Sequence, residues 1–248
     1  MLEAIELTKR YEDGHLALDR LDLRIGSGEI YCLLGANGAG KTTTINLFLG
    51  FIRPDAGRAL ICGIDVHKDP LAAKKHLAYV SENVMLYGSF TARQNLDFFT
   101  RLGGREGMTR EAYHSVLRRV GLPEKAFEQP VKQFSKGMRQ KVGIAIAVTK
   151  NASVLLLDEP MSGLDPAAAA ELVRILLELG AQGKSILMST HDVFRAKEIA
   201  NRVGIMKGGH KVAEMTAQEV AKLDLEKVYL EYMSADHEPV ARLVANQR

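Results

Sequence analysis

The chain has 248 residues, 46% apolar and 25% charged, with 33 basic against 30 acidic side chains and a net charge of +3. That is ordinary globular composition, enough for one α/β domain with or without a small subdomain, and its even charge carries no nucleic-acid footprint. No apolar run approaches the roughly 18 residues of a membrane span, and Met1-Leu2-Glu3-Ala4 does not open a signal peptide. The first segments read as strands: Ile5 to Thr8, Leu16 to Ile25 with alternating apolar positions, and Ile30 to Leu34. Tyr11 falls in the polar connection between the first two.

Directly after the third strand stands Gly35-Ala36-Asn37-Gly38-Ala39-Gly40-Lys41-Thr42-Thr43. It has the phosphate-binding spacing of Gly, four residues, Gly, Lys and a hydroxyl residue, followed by a helical run from Thr43 to Leu49 that stops at Gly50. Glycines let the backbone curl so that successive N–H groups converge on phosphate oxygens, and the helix N-terminus adds unpaired donors. Lys41 supplies a mobile charge for the β- and γ-phosphates, and the Thr42 hydroxyl is a ligand for Mg²⁺.

A turn over Phe51 to Gly57 leads to a strand from Arg58 to Ile61, a short helix over Leu71 to Lys75 and a strand over His76 to Val80. Cys32 and Cys62 both lie in apolar runs, which predicts buried thiols in a reducing compartment rather than a disulfide. The pattern changes near Ser81. Helical segments follow over Thr91 to Leu102, Arg110 to Val120 and Ser135 to Lys150, suggesting a helical subdomain over about 84–150 inserted in the α/β core. The core resumes with the apolar strand Val154 to Leu157, a helix over Pro166 to Leu179, a strand over Ser185 to Ser189, a helix over Phe194 to Ala200 and a strand over Val203 to Met206. Alternating strands and helices predict a mostly parallel sheet, here with an antiparallel N-terminal β part. Beyond residue 210 the chain reads as a short strand, a helix over Thr216 to Leu223, a strand over Val228 to Tyr232, and a loose polar last dozen residues.

Asp158-Glu159 ends the apolar strand, and an Asp at the C-terminal end of a buried parallel strand lies where ligands collect. Asp158 is expected to hold Mg²⁺, directly or through water, and Glu159 to act as general base on the water that attacks the γ-phosphate. Leu155-Leu156-Leu157-Asp158-Glu159-Pro160, then Ser162-Gly163-Leu164-Asp165, then Ser189-Thr190-His191, resemble the nucleotide-binding subunit of an ABC transporter. Phe134-Ser135-Lys136-Gly137-Met138-Arg139-Gln140-Lys141 resembles that family's signature. The resemblance runs in the family's order over about residues 3 to 215.

The resemblance implies a P-loop NTPase core over 1–215, a short C-terminal extension over 216–248, and an ATPase that uses ATP and Mg²⁺. It implies that Tyr11 stacks on adenine, that Ser135 and Gly137 meet the γ-phosphate held by an opposite subunit, that His191 is the switch histidine, and that Asp165 links the two sites. Lys136 and Met138 stand where the commonest signature has Gly and Gln, and Glu82 stands where the family usually has Gln. A carboxylate at Glu82 keeps the capacity to ligand Mg²⁺ or orient water. These departures resemble type-2 exporters, whose ATPase pairs with a separate integral-membrane permease. The expected partners are therefore that permease, reached through Glu82, Tyr87 and Phe90, and a second copy or a homologue, with no nucleic acid, at the cytoplasmic face of the cell membrane. A soluble ATPase acting on ribosomes or DNA would carry two such domains or long coiled-coil insertions, and a non-hydrolysing module would not keep both Glu159 and His191. Cargo, direction of transport and the role of the extension stay open.

Overall fold

In the computed structural model, which describes residues 1–234, ten strands form two sheets. β1 (Leu2–Arg10), β2 (Leu16–Ile25), β4 (Ala56–Ile61) and β5 (Ile64–Asp65) make a four-stranded antiparallel sheet in the order β2-β1-β4-β5. β3 (Ile30–Gly35), β6 (Leu77–Val80), β7 (Val154–Asp158), β8 (Ser185–Thr190), β9 (Arg202–Lys207) and β10 (His210–Thr216) make the second, in the order β10-β9-β3-β8-β7-β6. All its pairings are parallel except the terminal β10–β9 hairpin. The expected fold class, a P-loop core with an antiparallel N-terminal β part, is the one observed.

The central strands are buried on both faces because their period-2 alternation feeds two cores. Ile30, Cys32, Leu34, Leu155, Leu157, Ile186 and Met188 join one cluster. Tyr31, Leu33, Val154, Leu156 and Leu187 join the other. The second cluster also takes α1 (Lys41–Leu49), through Ile45, Leu47 and Phe48, and the inner face of the antiparallel sheet. The first takes α3 (Ala92–Leu102), α4 (Arg110–Arg119), α5 (Lys136–Lys150) and α6 (Pro166–Ala181). The helical segments read from the sequence therefore form, and they pack into the same core as one face of the parallel sheet. The short helices α2 (Pro70–Lys75), α7 (Val193–Ile199) and α8 (Ala217–Lys222) are each capped by the side chain before them, Asp69, Asp192 and Thr216.

Two expectations are corrected. Val228 to Tyr232 is not a strand but part of α9 (Leu225–Ser234). Leu225, Val228, Tyr229, Tyr232 and Met233 recur at helical spacing, and that stripe packs on the first cluster, against α7 and β9. Over five residues its β-branched and aromatic content resembled a strand. Cys62 is exposed rather than buried. It shares the two-residue turn of the β4–β5 hairpin with Gly63, both at positive φ (51° and 81°), as the right-handed strand twist demands. Cys32 is buried as expected, and burial pushes its thiol far above the ordinary range. The loose last dozen residues lie outside the described residues.

Candidate active site

Register decides what meets what. In the parallel sheet Leu34 pairs with Thr190 and Asp158 with Ser189, so β3, β8 and β7 end together at one edge. The connections leaving that edge carry the phosphate loop, His191 and Glu159.

Between β3 and α1 the chain bends through Gly38 (φ 81°) and Gly40 (φ 106°). At Gly40 a Cβ would stand 2.6 Å from the Ala17 carbonyl oxygen, so the loop lies against β2 as only glycine permits. Gly40 is also the N-cap of α1 and offers no side-chain cap, leaving the helix's first N–H groups for an incoming anion. By contrast the Ser135 hydroxyl caps α5, accepting from the Met138 N–H at 3.2 Å, and the Asp165 carboxylate caps α6, accepting from the Ala168 N–H at 2.9 Å.

The loop floors a cleft of about 360 Å³, within the usual size for small-molecule sites. Ala36, Asn37, Gly38, Ala39, Gly40, Lys41, Thr42 and Thr43 line it, together with Tyr11, Glu82, Asp158 and Glu159. Gly35 is buried just beneath, its carbonyl oxygen accepting from Lys41 Nζ at 2.6 Å. Tyr11 is partly exposed at the rim, with its hydroxyl 3.3 Å from Thr43 Oγ1.

Lys41 is almost fully buried. Burial pulls its ammonium below the ordinary range, while the Glu159 and Asp158 carboxylates push it back up. Its Nζ also reaches the Ala36 carbonyl oxygen at 3.3 Å and Glu159 Oε1 at 3.7 Å. Glu159 adopts a left-handed backbone conformation (φ 46°), which turns its side chain back over the loop. Its second oxygen, Oε2, lies 2.9 Å from His191 Nδ1. One carboxylate thus bridges the buried lysine and the exposed histidine.

Asp158 is oriented by Ser189, whose Oγ donates to Oδ1 at 2.6 Å and accepts from the Glu159 N–H at 3.1 Å. Glu82 Oε1 accepts from Ser162 Oγ at 2.9 Å and from Lys136 Nζ at 3.3 Å, which together hold its carboxyl below the ordinary range. Ser189 and Ser162 were quoted in motifs without a role, and His15 and Ala17, which also line the cleft, were not singled out. His15 follows from the β1–β2 pairing, which folds the turn after Tyr11 over the loop.

The chain does not bring every expected site residue together. Ser135 and Gly137 do not line the cleft, and the Ser135 side chain is exposed. The cleft itself can seat a polyphosphate on backbone donors and a buried ammonium, beside a carboxylate placed to accept a proton from water.

A family model described as ABC transporter matches residues 18–162. The Daunorubicin resistance ATP-binding protein DrrA3 of Streptomyces coeruleorubidus is 36% identical over 215 residues, 86% of this chain and 67% of that protein. The Nod factor export ATP-binding protein I of Burkholderia pseudomallei is 36% identical over 209 residues, 84% of this chain and 68% of that protein. Among solved structures, a dimeric ATP-binding cassette in a post-hydrolysis state, bound to ADP and Pi, superposes with a TM-score of 0.79 at 25% identity, covering 88% of this chain and 99% of that one. With a loop built for phosphates and a carboxylate beside its lysine, the chain belongs to the ABC transporter family, as an ATP-binding subunit that hydrolyses ATP.

Proposed function

We propose that two copies of this chain close head-to-tail around two ATP molecules and drive a separate integral-membrane permease, in the direction of export. The observation that carries this reading is the Glu159 carboxylate, held between Lys41 and His191 at the mouth of the phosphate loop. The loop backbone from Gly35 to Thr43 and the Lys41 ammonium take the phosphates, and Tyr11 takes the adenine. As nucleotide enters, Lys41 exchanges its carbonyl and Glu159 contacts for phosphate oxygens, and Glu159 is freed to accept the proton of the attacking water. His191 keeps Glu159 oriented and reads the γ-phosphate. The face missing from the cleft is supplied by Ser135 and Gly137 of the second copy, whose α5 N-terminus points donors at the same phosphate.

The donor set fits Mg²⁺. The Thr42 hydroxyl and the Asp158 and Glu82 carboxylates all line the one cleft and are all oxygen ligands, as a hard cation requires. When bound, the ion neutralises charge on the phosphates during transfer. Ser189 holds Asp158 ready for it.

In this reading residues 1–215 are the ATPase unit, with about 84–150 as its helical insertion and 216–248 as an extension. Among the described residues no helix is long and apolar enough to cross a membrane. In this reading the permease is a separate chain, as in the exporters the sequence resembles, and this subunit sits on the cytoplasmic face of the cell membrane. Tyr87 and Phe90, in the connection between β6 and α3, form one aromatic cluster with Phe98 and Phe99 of α3, with Tyr87 half exposed, and provide the docking surface. Relatives named for daunorubicin resistance and Nod factor export favour export.

Two measurements test this. Purification of the chain from its native membranes in mild detergent is expected to carry one polytopic membrane protein at comparable stoichiometry, and recovery with ribosomes or nucleic acid alone would contradict the reading. Tyr11→Ala is expected to weaken ATP binding about fivefold to a hundredfold, the range of one base–aromatic stack, and to weaken inorganic triphosphate binding less than twofold. Equal losses for both ligands would remove the adenine role.

A further inference from the structure

Two of the three positions at which this chain departs from the family's commonest pattern, Lys136 and Glu82, touch each other. Lys136 opens α5, and its Nζ lies 3.3 Å from Glu82 Oε1. The same side chain runs over Gly163, a left-handed residue (φ 66°) whose added Cβ would stand 3.5 Å from Nζ. Ser162, the neighbour of Gly163, completes the set by donating to Glu82 Oε1 at 2.9 Å. One turn along α5 the buried Gln140 donates to the carbonyl oxygens of Ser81 (3.2 Å) and Glu82 (2.8 Å). Glu82 is thus held by its backbone and its carboxylate to the helix whose cap is Ser135. Its side chain also lines the cleft beside Asp158 and Thr42.

We infer that Lys136 is a positioning residue that competes with the nucleotide's divalent cation for the Glu82 carboxylate, and so ties filling of the cleft to release of the α5 N-terminus. The inference rests on the reading of Glu82 as facing that cation. Glu82 cannot serve both positive partners fully, and the two partners repel each other across it. The pair is weak enough to be exchanged, because both side chains are partly exposed, at 34% for Lys136 and 43% for Glu82. A cation that draws Glu82 inward breaks its bonds to Lys136 and Ser162. That frees the first turn of α5 and the loop after β7 at the surface where the second copy closes. A Gln at position 82 would have no charge for Lys136 to hold. The two departures are one device.

The test is equilibrium binding of a fluorescent ATP analogue to the full chain as Mg²⁺ is titrated. Lys136→Met is expected to lower the half-saturating Mg²⁺ concentration about threefold to fivefold, the upper part of the range for a partly exposed ion pair. Lys136→Arg is expected to stay within twofold of the parent, and Lys136→Met to have no further effect in a Glu82→Gln background. Binding in excess chelator is expected to be the same for the parent, Lys136→Met and Lys136→Arg. A half-saturating Mg²⁺ concentration that Lys136→Met leaves within twofold of the parent would overturn the inference. So would an equal shift in the Glu82→Gln background, or a change in chelator, which would show that Lys136 acts on nucleotide rather than on the cation. Thr42→Ala separates this from the reading beneath it: if that variant leaves the Mg²⁺ dependence unaltered, the assignment of the cleft's cation ligands fails first.

Discussion

Glu159→Gln is expected to keep ATP bound and to lose steady-state turnover by about a hundredfold to ten-thousandfold, the usual contribution of a positioned general base. The amide preserves the shape of the side chain, and its oxygen can still face the Lys41 ammonium or His191, so the fold and the cleft survive. It cannot take a proton from water. In the parent the carboxylate is tied to Lys41 on one oxygen and to His191 on the other. Replacing it also removes a negative charge from beside the site where the γ-phosphate would sit, so ATP affinity is expected to hold or rise. Phosphate release in single-turnover and steady-state assays checks this, and turnover within threefold of the parent would remove Glu159 as the base.

Lys41→Ala is expected to act on the other side of the equation, on binding. The ammonium is buried and carries hydrogen bonds to the Gly35 and Ala36 carbonyl oxygens, which hold the two ends of the loop's first turn together. With nucleotide present the same charge faces phosphate oxygens. A hydrogen bond to a charged group is worth about 1.5–3 kcal/mol, or roughly ten- to a hundredfold and more in affinity. Alanine also leaves Glu159 and Asp158 without the cation that offsets their charges, so the cleft becomes net repulsive to polyphosphate. Calorimetric titration with ATP is expected to show a loss of at least tenfold at an unchanged thermal midpoint within a few degrees. Affinity within twofold of the parent would mean that Lys41 does not hold phosphate.

What the sequence made legible was local. The loop from Gly35 to Thr43, the apolar strand ending in Asp158 and the starts of α3 and α5 are all determined by neighbours within a few residues, and each forms within a residue of where it is expected. What stayed hidden depends on sheet order. Ser189 reaches Asp158 only because β8 lies between β3 and β7 and pairs in the register Asp158–Ser189. The contact between His191 and Glu159 follows from the same order. The link from Lys136 to Glu82 crosses 54 positions of chain and depends on α5 packing against the loop after β6. The misread α9 shows the opposite limit. Five residues with two tyrosines and a valine carry too little periodicity to separate helix from strand, and packing against α7 and β9 decided it. Cys62 was misjudged because hydrophobic company in sequence says nothing of a tight hairpin turn.

Ser135 and Gly137 do not line the cleft that their own chain builds, so the account stands on closure of two copies around ATP. The direct measurement is the mass of Glu159→Gln in solution by light scattering, with Mg²⁺ and either ATP or ADP. The account predicts about twice the monomer mass with ATP and the monomer mass with ADP. A protein that binds ATP under these conditions and stays monomeric would contradict it.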